Sequence, residues 1–271
     1  MVQIQYASDL HITDWPLGTP HDIFVTPVAP ILVLAGDICS AWDQRYIYFL
    51  EWASRNWSTV VVITGNHEYH CSPSDPHTMN ETDAYISASV KRFPNVAFLQ
   101  NGASYVIPGT HIRFVGATLW SAIDPQIWAE IESKKSDFKN VYTDHYYTRR
   151  LIKSSDICAV HALHRTNISS ELAPHTIGET LIVVTHHMPT QNLLEPHFRH
   201  EIWNSCYASN DDDLITSNIA AWICGHSHRA TSWKAPNGVM LYMNARGYNN
   251  PDELGRTVDL YNPRAEITVK N

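Results

Sequence analysis

Five apolar runs in this chain each stop at a residue type that binds metal, and few folds satisfy that pattern. "VQIQYAS" leads to Asp9 and His11, "ILVLAG" to Asp37, "VVVITG" to Asn66 and His67, "TLIVVT" to His186 and His187, and "IAAWICG" to His226 and His228. The later runs are short and continuously apolar, as buried parallel strands are, whereas the first alternates. Residues 44–56 carry Tyr46, Ile47, Phe49, Leu50 and Ala53 at helical spacing between two of the runs. The order strand, helix, strand predicts βαβ units on a parallel sheet, hence an α/β chain. The carboxyl ends of such strands share one edge, where these folds bind ligands. Five separate segments are therefore expected to converge.

Spacing adds to this. Residues i and i+2 on an extended chain point the same way, so Asp9 with His11, and His226 with His228, could each offer two side chains to one site. Adjacent residues point oppositely, so only one of His186 and His187 is expected to ligate. Glycines before Asp37, Asn66 and His226 allow tight turns beside an ion. Imidazole with carboxylate suits Zn, Mn or Fe, whereas an all-oxygen set would suit Mg or Ca. A lone Asp-x-His is ordinarily a turn aspartate beside a surface histidine, and sixteen histidines make chance pairs common. Recurrence of all five endings, each behind its own apolar run, sets this chain apart.

The remaining segments read more simply. A helix is expected over 81–92, then a strand at "NVAFLQ" and a hairpin turning on Pro108 and Gly109. Residues 121–175 are polar, with helical patterns at 125–134 and 155–172, and suggest an insertion or cap within one domain spanning 1–271. "NDDD" at 210–213 reads as a solvated helix start, and "TSWKAP", "NGVMLYMNA", "RTVDLY" and "EITVK" as short strands. At 271 residues and 44% hydrophobic the chain can bury one substantial core. A net charge of −8 opposes general attraction to nucleic acid or anionic membranes. Five scattered cysteines with no CxxC spacing suit a reducing compartment, and no apolar run approaches a membrane span, so a cytoplasmic protein is expected.

The ordered motifs "SDLHI", "AGDI", "GNHEY", "VTHHMP" and "CGHSH", flanked by "FVGATLW" and "NARGY", resemble the calcineurin-like metallophosphoesterase superfamily. That resemblance implies a four-layer α/β/β/α sandwich of two mixed β-sheets flanked by helices, with a dinuclear centre of transition ions (Mn, Fe or Zn) at the strand ends. Carried onto matching positions, one ion would take Asp9, His11 and His228, the other Asn66, His186 and His226, with Asp37 bridging. His67 would act on the leaving group without ligating, with Glu68 as its orienting partner. The implied activity is metal-dependent hydrolysis of a phosphomonoester or phosphodiester by in-line attack of activated water, on a small-molecule or nucleotide substrate. A nuclease of the same fold, or a scaffold that binds metal without catalysis, are the alternatives. His187 and Arg246 are candidate substrate contacts, since guanidinium pairs bidentately with phosphate. Trp15, Trp120 and Tyr248 follow strand ends and could stack on an aromatic leaving group; His70, His145, His161 and His164 are expected at the surface or in hydrogen bonds.

Overall fold

In the computed structural model, which describes all residues except 147, 174–177, 196–200, 255–259 and 271, the five apolar runs are strands. The first half of the chain runs β1 (Val2–Ala7), β2 (Ile31–Ala35), α1 (Gln44–Asn56), β3 (Thr59–Ile63), α2 (Met79–Val90), β4 (Val96–Phe98), β5 (Ala103–Val106) and β6 (Ile112–Ala117). Next come α3 (Trp128–Lys134), α4 (Asp137–Asn140), a hairpin of β7 (Tyr142–His145) and β8 (Thr148–Leu151), and α5 (Ser154–Leu172). The chain closes with β9 (Thr180–Thr185), β10 (Ile219–Cys224), β11 (Ala230–Lys234), β12 (Met240–Asn244), α6 (Pro251–Leu254) and β13 (Glu266–Val269). Of the strand expected at 256–261, residues 256–259 lie outside the described residues and the last two are not in a strand. Among the described residues no helix is long and apolar enough to cross a membrane.

Two mixed sheets result. One is ordered β13-β1-β2-β3-β4, parallel except where β13 runs against β1; the other is β11-β12-β10-β9-β6-β5, with β11 and β5 antiparallel to their neighbours. Why the runs are continuously apolar is visible in the packing. Val33 and Ala35 of β2, with Val61 and Ile63 of β3, face Phe114, Ile182, Val184 and Ile223 of the other sheet. Their neighbours Leu32, Leu34, Val60 and Val62 face outward onto α1, alongside Tyr46, Phe49 and Leu50. Each strand has two buried faces, so alternation has no solvent side to report. Even in β1, Gln5 is fully buried; its amide donates to Thr26 O and Pro263 O, and its Oε1 accepts from Val28 N and Trp57 Nε1.

The polar 121–175 segment holds more than its helical patterns. It contains the β7–β8 hairpin, and α5 packs as a layer of the sandwich, with Ile168 and Leu172 in the core beneath β6, β9 and β10. Only the part around α3, α4 and the hairpin builds its own cluster, centred on Ile123, Ile131, Phe138, Val141 and Ile157. "NDDD" is likewise not solvated throughout: Asp211 is buried, and it accepts from Arg165 at 3.0 Å.

Candidate metal centre

The metal-type residues come from both sheets, beyond β1, β2 and β3 on one and β9 and β10 on the other, so convergence occurs between two facing edges and not along one. They also share a backbone peculiarity. Asp9, His11, Asp37, His226 and His228 all have left-handed φ, between 42° and 74°. That conformation is unfavourable for L-residues and least so for Asp, Asn and His. It persists only where the surroundings over-determine it. This corrects the extended-chain reading: β1 ends at Ala7, and Asp9 and His11 each turn inward through a bend of their own.

The surroundings are specific. Asp9 accepts from His226 N at 3.0 and 3.2 Å through its two oxygens, tying one sheet's loop to the other's. Asp37 Oδ1 accepts from His67 N at 2.8 Å. Glu68, fully buried, accepts from Asp37 N at 2.9 Å, Ile38 N at 2.7 Å and Gly65 N at 2.6 Å. It therefore clamps the two loops that carry Asp37 and Asn66, and these three bonds go to backbone and not to His67. Of the three motif glycines only Gly36 needs its freedom of φ, at 84°. The others are required by space: a Cβ on Gly65 would run into Asp37 Oδ1, and one on Gly225 would lie 2.6 Å from Asp9 Oδ2.

Two donor sets meet at Asp37. Its Oδ2 is 3.3 Å from His186 Nε2 and 3.9 Å from His11 Nε2. On one side His228 Nε2 lies 3.5 Å from Asp9 Oδ1 and 3.1 Å from His11 Nε2. On the other, His186 Nε2 lies 3.1 Å from Asn66 Oδ1 and 3.3 Å from His226 Nδ1. The ligand atoms of Asp9, His11 and His228 all fall within 4.8 Å of one another, as do those of Asp9, Asp37 and His186. His186 Nδ1 donates to Ala35 O at 2.8 Å, which fixes the orientation of the ring and turns Nε2 toward Asp37.

Charge favours cations here. Burial works against protonating His186, but Asp37 and Asp9 outweigh it and hold that imidazole up to about 10. Burial pushes His11 and His226 well below the ordinary histidine range, so they stay neutral lone-pair donors. Carboxylate charge beside the neutral imidazoles of His11 and His226 and one amide oxygen fits N/O-ligated transition ions, which would take the place of the proton on His186.

Other expected residues fall differently. His187 is not turned away by its adjacency to His186, because β9 stops at Thr185. Its ring stacks 4.0 Å from that of His226, and its ligand atom lies within 4.8 Å of those of His186 and His226. Arg246 is a correction: its guanidinium lies 4.3 Å over the Trp15 ring and 4.9 Å over Phe24, and donates to Ile23 O at 2.6 Å. It holds an aromatic cluster behind the centre and does not line the cavity. Trp15 packs there too, whereas Tyr248 sets its hydroxyl 3.1 Å from His67 Nε2. His161 and His164 lie buried on α5, where His161 Nδ1 donates to Leu119 O at 3.2 Å.

One contributor has no motif. Asp137, at the start of α4, accepts from Asn66 Nδ2 at 2.9 Å and from His70 Nε2 at 2.7 Å, which aims Asn66 Oδ1 at the other donors. Against burial, the His70 hydrogen bond and neighbouring histidines hold its carboxyl well below the usual range. The centre opens into a cavity of about 710 Å³ whose lining includes Asp37, Asn66, His67, His187, His226 and His228.

Residues 6–230 match the family described as calcineurin-like phosphoesterase. No curated protein matches the chain. Among solved structures, the phosphopantetheinyl hydrolase from Mycobacterium tuberculosis superposes with a TM-score of 0.69 at 18% identity, over 94% of this chain and 92% of that one. A dimetal phosphatase from Danio rerio gives 0.45 at 13% identity, over 89% and 86%. At such identity the first of these likenesses speaks for the fold alone.

Proposed function

Because the chain belongs to the calcineurin-like phosphoesterase family, we propose that it hydrolyses phosphomonoesters or phosphodiesters of small molecules or nucleotides with two divalent transition ions, Mn, Fe or Zn. The observation that carries this reading is the pair of donor sets meeting at Asp37, whose Oδ2 lies between His186 and His11. Asp9, His11 and His228 would hold one ion, Asn66, His186 and His226 the other, and Asp37 both. Bound there, two such ions would supply Lewis acidity and surplus positive charge for an in-line displacement at phosphorus.

The chain's own groups have the other tasks. Asp9 and Asp37 provide only two carboxylate charges, so the loaded site stays cationic toward a phosphoester. Asp137 and Ala35 O set the aim of Asn66 and His186. Glu68 fixes the distance between the Asp37 and Asn66 loops. His67 Nε2, beside the Tyr248 hydroxyl, would deliver a proton to the departing oxygen. His187 would face the substrate. Five unpaired cysteines support a reducing, cytoplasmic setting.

The test combines metal analysis of the purified protein with assays on p-nitrophenyl phosphate, bis(p-nitrophenyl) phosphate and cyclic nucleotides in added manganese. Two equivalents of transition metal and manganese-dependent turnover are expected; metal without turnover on any ester would favour the scaffold. Preference for the mono- or the diester separates phosphatase from phosphodiesterase.

A further inference from the structure

The cavity does not stop at the metal-type donors. Beyond Asp37, Asn66 and His228 it runs beneath α3 and α4, where its lining joins the polar Lys135, Glu201 and Tyr207 to an apolar wall of Ile123, Ile131, Phe138, Ile157 and Trp203. The apolar wall belongs to the cluster of the 121–175 segment, apart from the cores of the sandwich. A phosphate group alone has no use for such a wall, and a polyhydroxylated group would lose its hydration against it.

Two further atoms of the wall lack partners. Trp120 Nε1 and Asn204 Nδ2 are closed to solvent with no hydrogen-bond partner, on residues that are only 1% and 5% exposed. Both are donors and cannot accept. Leaving a buried donor unpaired is unfavourable. Trp120 moreover reaches the wall through a left-handed pair, Leu119 at φ 66° and Trp120 at 56°. The chain thus holds strained backbone at a residue that lines the chamber and carries an unpaired indole N–H.

We propose that this chamber receives the organic part of the phosphoester, and that this part is a mainly apolar body carrying carbonyl-type or ring-type acceptors that meet Trp120 Nε1 and Asn204 Nδ2. The assignment rests on the phosphoesterase reading, which decides which end of the cavity takes the phosphorus. It gives α3 and α4 a role in selecting substrate and leaves the chemistry to the strand-end loops.

Calorimetric titration of the manganese-loaded protein with methylphosphonate, hexylphosphonate and 6-acetamidohexylphosphonate tests it. Hexylphosphonate should bind at least tenfold more tightly than methylphosphonate, since its added methylenes leave water, and the acetamido compound severalfold more tightly again. Trp120→Phe and Asn204→Leu should cancel the acetamido gain and keep the hexyl gain, while Ile157→Asn should cancel the hexyl gain. If a variant fails to fold, the wild-type series decides alone. Equal affinity for the methyl and hexyl compounds would overturn the chamber assignment and leave the metal centre standing; no acetamido gain would overturn the donor roles of Trp120 and Asn204. Failure of every phosphonate to bind, with manganese present, would overturn the phosphoesterase reading and this assignment with it.

Discussion

At the level of single residues, the donors were legible because each stands directly behind a buried run, so sequence order alone announces position. Helpers that act across the fold were not. Asp137 holds Asn66 from 71 positions away, inside a polar segment where one more aspartate attracts no notice. Glu68 presents the opposite case: its place next to His67 suggests a catalytic pair, while its carboxyl group turns back to three backbone N–H groups. Asp137→Ala should weaken manganese binding roughly 10–100-fold, as loss of a group that orients a ligand does; unchanged affinity in a metal titration would mean that Asn66 needs no holding. Gly65→Ala places a methyl against Asp37 Oδ1, so it should cost roughly 1–3 kcal/mol of stability together with metal content, read by urea unfolding and elemental analysis. Wild-type values for both would show that the loop can give way.

At the level of elements, α1 was readable to its ends because its buried stripe is purely apolar, Tyr46, Ile47, Phe49, Leu50 and Ala53. The stripe of α5 has equally regular spacing but runs Ile157, His161, His164, Ile168 and Leu172. Two histidines at core positions disguised a layer helix as a surface cap. His164 Nε2 donates to Asn101 Oδ1 at 2.7 Å, and burial, aided by His161, lowers its pKa to about 3. Between an unfolded value of about 6.5 and that folded value, only the unfolded chain takes up the proton. The stability this histidine contributes is therefore intact above pH 6.5 and is lost as pH falls below it, by about 1.4 kcal/mol per unit. Compared at pH 7.5 and pH 5, wild type should lose about 2 kcal/mol more than His164→Gln in urea unfolding at matched metal content. Parallel losses would show that His164 takes up its proton in the folded state as well.

At the level of the whole molecule, continuous apolar runs could signal buried strands but not how many sheets they form, because a strand flanked on both faces looks the same in either case. The division into two sheets matters for energy as well as shape: Asp9, Asp37 and Asn66 stand on one, His186, His226 and His228 on the other, so bound ions would pin the two together. Each ion held at a hundredfold excess over its dissociation constant adds about 2.7 kcal/mol, and removal of two by chelation should accordingly lower the melting temperature by roughly 10–20 °C. A melting temperature indifferent to chelator and to restored manganese would mean that the sheets are held by their apolar interface alone. The left-handed bends under five of the donors also limit how this centre can be altered by substitution or design. A backbone bent in that way favours asparagine, aspartate, histidine and glycine, and other residues adopt it only against strain, as Leu119 and Trp120 do. Longer or branched donors carry a backbone cost before any question of affinity for an ion arises, so a change of preferred metal is reached more readily through residues that lean on the donors, Asp137 among them.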